Sequence, residues 1–73
     1  AYDLPEGVTS LGRADENDIV LSGDLVSRRH GRIRVQGDDI AFEDLGSRNG
    51  TRINGELCRG KMALQAGDAI VVG

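Results

Sequence analysis

Residues 31–45 read GRIRVQGDDIAFEDL, and this stretch decides the fold. Within residues 31–35 arginines alternate with isoleucine and valine, so the charged side chains lie on one face of an extended strand and the aliphatic ones on the other. A Gly-Asp-Asp turn at 37–39 separates this run from a second apolar run over 40–45. The pattern predicts two antiparallel strands joined as a hairpin.

Short apolar runs separated by turn residues continue on both sides of this hairpin. Asn54-Gly55 is the strongest turn signal, because both positions of a two-residue hairpin turn require a positive φ. Eleven glycines leave no stretch long enough for a good helix. We expect seven or eight strands and an all-β, antiparallel sandwich or barrel. The predicted strands span residues 8–11, 19–21, 31–35, 40–45, 51–53, 56–57, 62–64 and 69–72.

Length and composition favour one globular domain over residues 1–73 and exclude several other classes of protein. The longest unbroken apolar run, residues 69–72, is too short to span a bilayer, and no signal peptide is visible. The single cysteine, Cys58, excludes an internal disulfide and a multi-cysteine zinc site, so we expect no metal and no cofactor. A lone thiol fits a reducing compartment, either the cytoplasm or, for a eukaryotic protein, the nucleus.

Charge is distributed unevenly along the chain. Twelve acidic and nine basic residues give a formal net charge of -3, which argues against a generally basic nucleic-acid binder. Residues 28–34 nevertheless contain four arginines and one histidine, with no acidic residue. A local positive site in an acidic protein favours a small anion or a single modified group as ligand over a long polyanion.

Two residues offer chemistry for binding a phosphate, and each also has an ordinary structural explanation. Arg13 follows a predicted strand, where its guanidinium can hold a phosphate through two hydrogen bonds or can simply pair with Asp15 or Asp18. Ser27 stands next to arginines, and its hydroxyl can donate to a phosphate oxygen or close a turn.

Asn49 lies in a longer loop within residues 44–51. Asn49-Gly50 alone predicts a hairpin turn, but the glycine and serine before it lengthen the loop. An asparagine amide on such a loop offers both a donor and an acceptor, which suits the main chain of an extended peptide.

Ser27 and His30 do not indicate a hydrolase. A serine nucleophile needs a base within reach, a third group that orients the base, and an oxyanion hole, and closeness in sequence supplies none of them. We therefore expect a protein that is not an enzyme, in which His30 forms structural hydrogen bonds.

Several short motifs stand in a defined order, and together they resemble the forkhead-associated (FHA) domain, a phosphothreonine-peptide binding module. The resemblance runs from about residue 11 to residue 73. It is carried by Leu11-Gly12-Arg13, Asp18-Ile19-Val20-Leu21, Val26-Ser27-Arg28-Arg29-His30, residues 44–51 (DLGSRNGT), Ile53-Asn54-Gly55, and Leu64, Gly67-Asp68 and Ile70.

The resemblance implies a β-sandwich of the FHA/SMAD-like type that holds a phosphothreonine-containing protein or peptide by loops at one end. From charge and apolar run length, we expect neither nucleic acid nor a membrane as partner. By position, the phosphate would be bound by Arg13, Ser27 and Arg28. The peptide backbone would be bound by Arg48 and Asn49. Roles in shaping the loops would fall to Gly12, His30, Gly50, Asn54 and Gly55.

Some alternatives stay open on the sequence alone. FHA domains usually continue past the Gly67-Asp68 strand, and only residues 1–5 remain for a first strand, so the chain is expected to be part of a longer protein or to leave a sheet edge open. An FHA-like scaffold or oligomerisation domain without phosphate binding is one alternative function. Nucleic-acid binding through residues 28–34 is another, which the near absence of aromatic stacking residues disfavours.

Overall fold

The computed structural model describes residues 4–65 and 67–72. Eight strands occur in these residues, and they match the predicted runs to within one residue at each end. Residues 1–3, part of the segment available for an additional first strand, lie outside the described residues. The strands are β1 (Gly7–Gly12), β2 (Ile19–Val20), β3 (Gly31–Gln36), β4 (Asp39–Asp44), β5 (Thr51–Ile53), β6 (Glu56–Cys58), β7 (Lys61–Leu64) and β8 (Ile70–Val72). Within the described residues, no helix is long and apolar enough to cross a membrane.

The strands form two sheets, one with the order β2-β1-β3-β4-β7 and one with the order β6-β5-β8. The alternation in β3 places Ile33 inward and Arg34 outward, as the sequence predicts. The core cluster takes Leu11, Ile33 and the fully buried Phe42 from the larger sheet, and Ile53 and Cys58 from the smaller one. Both sheets thus contribute an apolar inner face to one core, which makes the fold a β-sandwich.

One strand pair corrects the expectation of a wholly antiparallel fold. β1 and β2 are parallel, with Leu11 opposite Ile19, whereas the other strand pairs described are antiparallel. The short connection between β1 and β2 is attached to β1 by Asp18: Asp18 Oδ2 accepts from the Ser10 N–H at 2.9 Å, and the Asp18 N–H donates to Ser10 Oγ at 3.0 Å. A two-residue β2 can therefore lie beside the end of β1 without a long crossover.

The register of the larger sheet brings three loops to the same end of the sandwich. Leu11 lies opposite Gly31, and Gly31 lies opposite Asp44, so the end of β1, the start of β3 and the end of β4 meet at one edge. The loops at this end are the β1–β2 loop (13–18), the β2–β3 loop (21–30) and the β4–β5 loop (45–50).

Candidate functional site

Arg13 is the first residue after β1, and it is attached to the β2–β3 loop. Its N–H donates to the Ser27 carbonyl oxygen at 3.0 Å, and its Nε donates to the Val26 carbonyl oxygen at 3.1 Å. The second bond fixes the direction of the side chain with a single guanidinium donor. Within the described part of the chain, the two terminal amino groups of Arg13 make no hydrogen bond. They remain available for a ligand.

The alternative explanation of Arg13, a surface ion pair with Asp15 or Asp18, does not hold in the structure. Asp18 is bonded to Ser10 instead. Over residues 4–65 and 67–72, the pairs at salt-bridge distance are Arg32 with Glu43 and His30 with Asp44.

Hydrogen bonds from Asn17 link the β1–β2 and β2–β3 loops, and this loop junction holds Arg13 and Arg28 near each other. The buried Asn17 side chain donates from Nδ2 to the carbonyl oxygens of Ala14 and Arg28, both at 2.8 Å. Gly12 lies so close to this junction that a Cβ would collide with the Arg28 carbonyl oxygen and with the Asn17 amide. Sequence reasoning did not single out Asn17; its signal is an asparagine in the polar turn directly before a strand, where the side chain commonly bonds nearby backbone.

Arg13 and Arg28 share a surface pocket of about 240 Å³. Its other lining residues are Ala14, Asp15 and Glu16, so two exposed acidic residues line the same pocket as the two exposed arginines. The sequence did not indicate that these acidic residues belong to the candidate site.

His30 is fully buried and joins two of the loops. Its Nδ1 accepts from the Ser27 N–H at 3.0 Å, which places the ring proton on Nε2, and Nε2 donates to the Gly50 carbonyl oxygen at 2.8 Å. Both ring nitrogens are thus bonded to backbone, and neither is bonded to the Ser27 hydroxyl. This is a structural arrangement rather than that of a nucleophile and its base.

Asp44 organises the β4–β5 loop from the end of β4. Its carboxylate accepts from the Ser47 N–H at 2.9 Å, from the Ser47 hydroxyl, and from the Thr51 hydroxyl at 3.1 Å. Burial raises the pKa of Asp44, but these hydrogen bonds and the nearby His30 outweigh burial and hold the pKa below its ordinary value. Ser47 Oγ accepts in turn from the Gly50 N–H at 2.9 Å, which closes the loop.

This network was not predicted from the sequence, where residue 44 falls within the predicted strand over residues 40–45. Asp-x-x-Ser is the available signal, because an aspartate often bonds the backbone of a following turn. The burial of Asp44 could not be predicted from this pattern, since that burial depends on β5 packing beside the loop.

The β2–β3 and β4–β5 loops are also joined on the exposed side. Ser27 Oγ accepts from the Arg48 N–H at 3.0 Å, which leaves the hydroxyl proton of Ser27 free to donate. Asn49 Nδ2 donates to the Leu25 carbonyl oxygen at 3.0 Å. The Asn49 side chain keeps its carbonyl oxygen and one N–H for a peptide.

The cationic block of residues 28–34 is divided by the fold. Arg28 and Arg29 are exposed in the loop that precedes β3, whereas Arg32 lies on the sheet and pairs with Glu43 at 2.6 Å. Arg34 is exposed on the same strand and lines a groove away from the loop end. The block therefore does not form one continuous basic stripe.

The Asn54-Gly55 turn lies at the other end of β5 from Thr51. Its two residues have φ values of 51° and 85°, as the dipeptide predicts. Asn54 Nδ2 donates to Asp68 Oδ1 at 3.0 Å, and Asn54 Oδ1 accepts from the Ala69 N–H at 3.0 Å. The first of these bonds is the main reason why the pKa of Asp68 is lowered. The turn thus joins β5 to β6 and is bonded to the residues just before β8.

Comparison with known sequences identifies relatives across nearly the whole chain. The model of the FHA domain family matches residues 9–73. An oxoglutarate dehydrogenase inhibitor of Corynebacterium efficiens is 41% identical over 70 residues, which cover 96% of this chain and 49% of that protein. The glycogen accumulation regulator GarA of Mycolicibacterium smegmatis is 39% identical over 70 residues, or 96% of this chain and 44% of that protein. The chain therefore spans about half the length of these curated relatives.

Solved structures agree with the sequence relatives. The FhaA FHA domain, in complex with the intracellular domain of Rv3910, is 38% identical with a TM-score of 0.90, covering 99% of this chain and 78% of that one. A chain from a structural and functional study of phosphothreonine-dependent FHA domain interactions is also 38% identical, with a TM-score of 0.91, covering 99% of this chain and 74% of that one.

Proposed function

Because the chain belongs to the FHA domain family, we propose that it binds phosphothreonine-bearing segments of proteins through the three loops at one end of the sandwich. The observation that carries this proposal is the position of the Arg13 guanidinium. Its Nε is held by the Val26 carbonyl oxygen next to Ser27, and its terminal amino groups make no hydrogen bond to any other described residue. Arg13 and Arg28 line the same pocket.

The chemistry of these groups suits a phosphate dianion. A phosphothreonine carries about -1.5 to -2 charges and three strong acceptor oxygens at neutral pH. Arg13 and Arg28 supply charge-assisted donors, and the Ser27 hydroxyl supplies a neutral one. Since the hydroxyl already accepts from the Arg48 N–H, its proton is directed away from that bond and is available to the phosphate.

The β4–β5 loop would hold the peptide main chain. Asn49 presents an amide whose orientation is fixed by its bond to the Leu25 carbonyl oxygen. The loop beneath it is stabilised by the Asp44 network, so the amide does not have to be ordered when the peptide binds. A main-chain contact of this kind contributes affinity without reading the peptide side chains.

An unmodified threonine would lose most of this interaction. Each hydrogen bond to a charged group contributes about 1.5–3 kcal/mol, and about 1.4 kcal/mol corresponds to a factor of ten in affinity. Two such bonds therefore discriminate phosphorylated from unphosphorylated peptides by at least about a hundredfold, before the cost of desolvating the arginines is subtracted.

For the whole protein, we propose a regulatory role without catalytic activity of its own. Its curated relatives carry the names of an inhibitor and a regulator rather than of an enzyme. The phosphothreonine partner would then be another protein or a segment of the same polypeptide. The cytoplasmic location expected from the single thiol stays a prediction.

A paired peptide titration tests the proposal. The chain is titrated with an oriented peptide library that has phosphothreonine at the fixed position, and with the same library carrying threonine. We expect measurable binding of the phosphorylated library alone. Equal or absent binding of both libraries would support the scaffold function, and salt-sensitive binding of generic oligonucleotides would support nucleic-acid binding.

Ser27→Ala provides a second test within the same loop. We expect it to weaken phosphopeptide binding about tenfold, because it removes one donor to the phosphate. Ser22→Ala is the matched control, since Ser22 is exposed in the same loop. An S27A affinity equal to that of S22A would exclude the assigned role of the Ser27 hydroxyl.

A further inference from the structure

Two exposed acidic residues line the same pocket as the arginines proposed to bind phosphate. Asp15 and Glu16 are exposed, and they share the pocket of about 240 Å³ with Arg13 and Arg28. A site that served only to attract a dianion would not need negative charge beside its arginines. The acidic pair therefore has to be explained together with the ligand.

The loop that carries these carboxylates is held firmly. The Ala14 N–H donates to the Arg28 carbonyl oxygen at 3.1 Å, and the Asn17 N–H donates to the Ala14 carbonyl oxygen at 3.2 Å. The Asn17 side chain, with 8% of its residue surface exposed, binds both of these carbonyl oxygens. The acidic residues lie between these anchors, so their backbone keeps a fixed position relative to the arginines.

The charges of Asp15 and Glu16 are not neutralised within the described residues. The two pairs at salt-bridge distance in residues 4–65 and 67–72 involve neither residue. The neighbouring Asp18 differs, because its carboxylate is engaged by the Ser10 N–H and hydroxyl. Asp15 and Glu16 thus present their charge to whatever enters the pocket.

We infer that Asp15 and Glu16 make the site selective for phosphothreonine segments with a lysine or arginine within three residues of the modified residue, and against segments with aspartate or glutamate there. This inference rests on the proposed function. The arginines take the phosphate, and the carboxylates interact with the side chains that flank it. The ligand class is therefore a phosphorylated segment of mixed charge rather than an acidic one.

The expected selectivity follows from the exposure of the groups. Ion pairs between exposed side chains change affinity by up to about fivefold each, and repulsion between like charges has a similar size with the opposite sign. A change from glutamate to lysine at a flanking position should therefore tighten binding about 5–25-fold at low ionic strength. The ratio should fall when salt is raised, because both carboxylates are exposed to solvent.

The experiment uses phosphothreonine peptides in an alanine-rich background, with lysine, alanine or glutamate placed in turn at each of three positions on either side. Affinities are measured by fluorescence anisotropy at low and at high salt. We expect lysine to bind more tightly than alanine, and alanine more tightly than glutamate, at one or more of these positions. Equal affinities at all positions, or a preference for glutamate, would overturn the inference.

Two double variants distinguish the effect of the acidic residues in the pocket from the effect of the net charge of the chain. Asp15→Asn combined with Glu16→Gln should bind the alanine peptide at least as tightly as the original chain and lose the preference for lysine. Asp38→Asn combined with Asp39→Asn makes the same change in net charge at exposed positions in the β3–β4 turn and at the start of β4, and should keep the preference. A preference that survives in D15N/E16Q would overturn the inference, while phosphate-dependent binding of the alanine peptide would still support the proposed function. If no phosphopeptide binds the original chain, both fail.

Discussion

Replacing Asp44 tests how far one buried carboxylate supports the β4–β5 loop. Asp44→Ala removes the acceptor for the Ser47 N–H, the Ser47 hydroxyl and the Thr51 hydroxyl. Hydrogen bonds to a charged group contribute about 1.5–3 kcal/mol each, but the desolvation of the buried carboxylate offsets part of their sum. We expect the free energy of unfolding to fall by about 3–5 kcal/mol.

That loss is large for a chain of this size. A domain of 73 residues has a total stability of about 4–11 kcal/mol, so Asp44→Ala should leave it marginally folded. Asp44→Asn retains one carbonyl oxygen for the Ser47 N–H, and its amide can donate to the two hydroxyls, so a smaller loss of about 1–2 kcal/mol is expected. Urea denaturation at neutral pH measures both values.

The loss of stability in D44N should depend on pH, and the direction of that dependence follows from the pKa of Asp44. The pKa of Asp44 is lower in the folded state than in the unfolded state, so its carboxylate stabilises the fold fully above an ordinary carboxyl pKa of about 4. The contribution is lost as the pH falls through the folded-state pKa. The stability difference between the original chain and D44N should therefore be constant from pH 7 down to about 5 and shrink at lower pH.

Asp38→Ala is the control, because Asp38 is exposed in the β3–β4 turn and should change stability by less than about 0.5 kcal/mol. A D44A protein as stable as D38A would refute the role of the Asp44 network. So would a difference between D44N and the original chain that stays unchanged as the pH is lowered.

Three further substitutions test other parts of the site. His30→Ala should lower the free energy of unfolding, measured by urea denaturation, by about 3–5 kcal/mol. The substitution leaves a cavity and deprives the Ser27 N–H and the Gly50 carbonyl oxygen of a buried partner. An unchanged denaturation midpoint would contradict this. Gly12→Ala should lower the thermal midpoint, with a loss of about 1–3 kcal/mol in the free energy of unfolding, because its Cβ meets the Arg28 backbone. Gly60→Ala is the control, since its Cβ would enter open space. Equal midpoints for the two variants would show that the loop junction accepts the Cβ without loss of stability. Asn49→Ala should weaken all phosphopeptides about 5–10-fold without changing their order of preference, and a changed order would mean that Asn49 reads side chains.

The strands were predictable because their signals are local. The alternation in residues 31–35 and the Asn54-Gly55 turn depend on a few neighbouring residues, and the structure follows both. The parallel pairing of β2 was not predictable from pattern, because β2 has two residues and its direction depends on the bonds between Asp18 and Ser10.

Less of the candidate site was predictable, and the roles assigned to its residues stay predictions. Arg13, Ser27 and Asn49 were identified by resemblance to a family, since sequence spacing does not reveal which loops meet at one end of a sheet. Asn17 and Asp44 were missed because their importance comes from burial, which tertiary packing creates. Asp15 was considered only as a possible ion-pair partner of Arg13, and the sequence did not indicate that Asp15 and Glu16 line a pocket with Arg13 and Arg28.

A double-mutant cycle between Arg13 and the phosphate group measures the central interaction directly. The affinity ratio of a phosphothreonine peptide to its threonine counterpart is determined for the original chain, for Arg13→Ala, and for Arg34→Ala, whose arginine lies in β3 away from the loops. We expect R13A to reduce the ratio by about 10–100-fold with the fold intact, and R34A to leave the ratio unchanged. An identical ratio in R13A and the original chain would mean that Arg13 does not contact the phosphate.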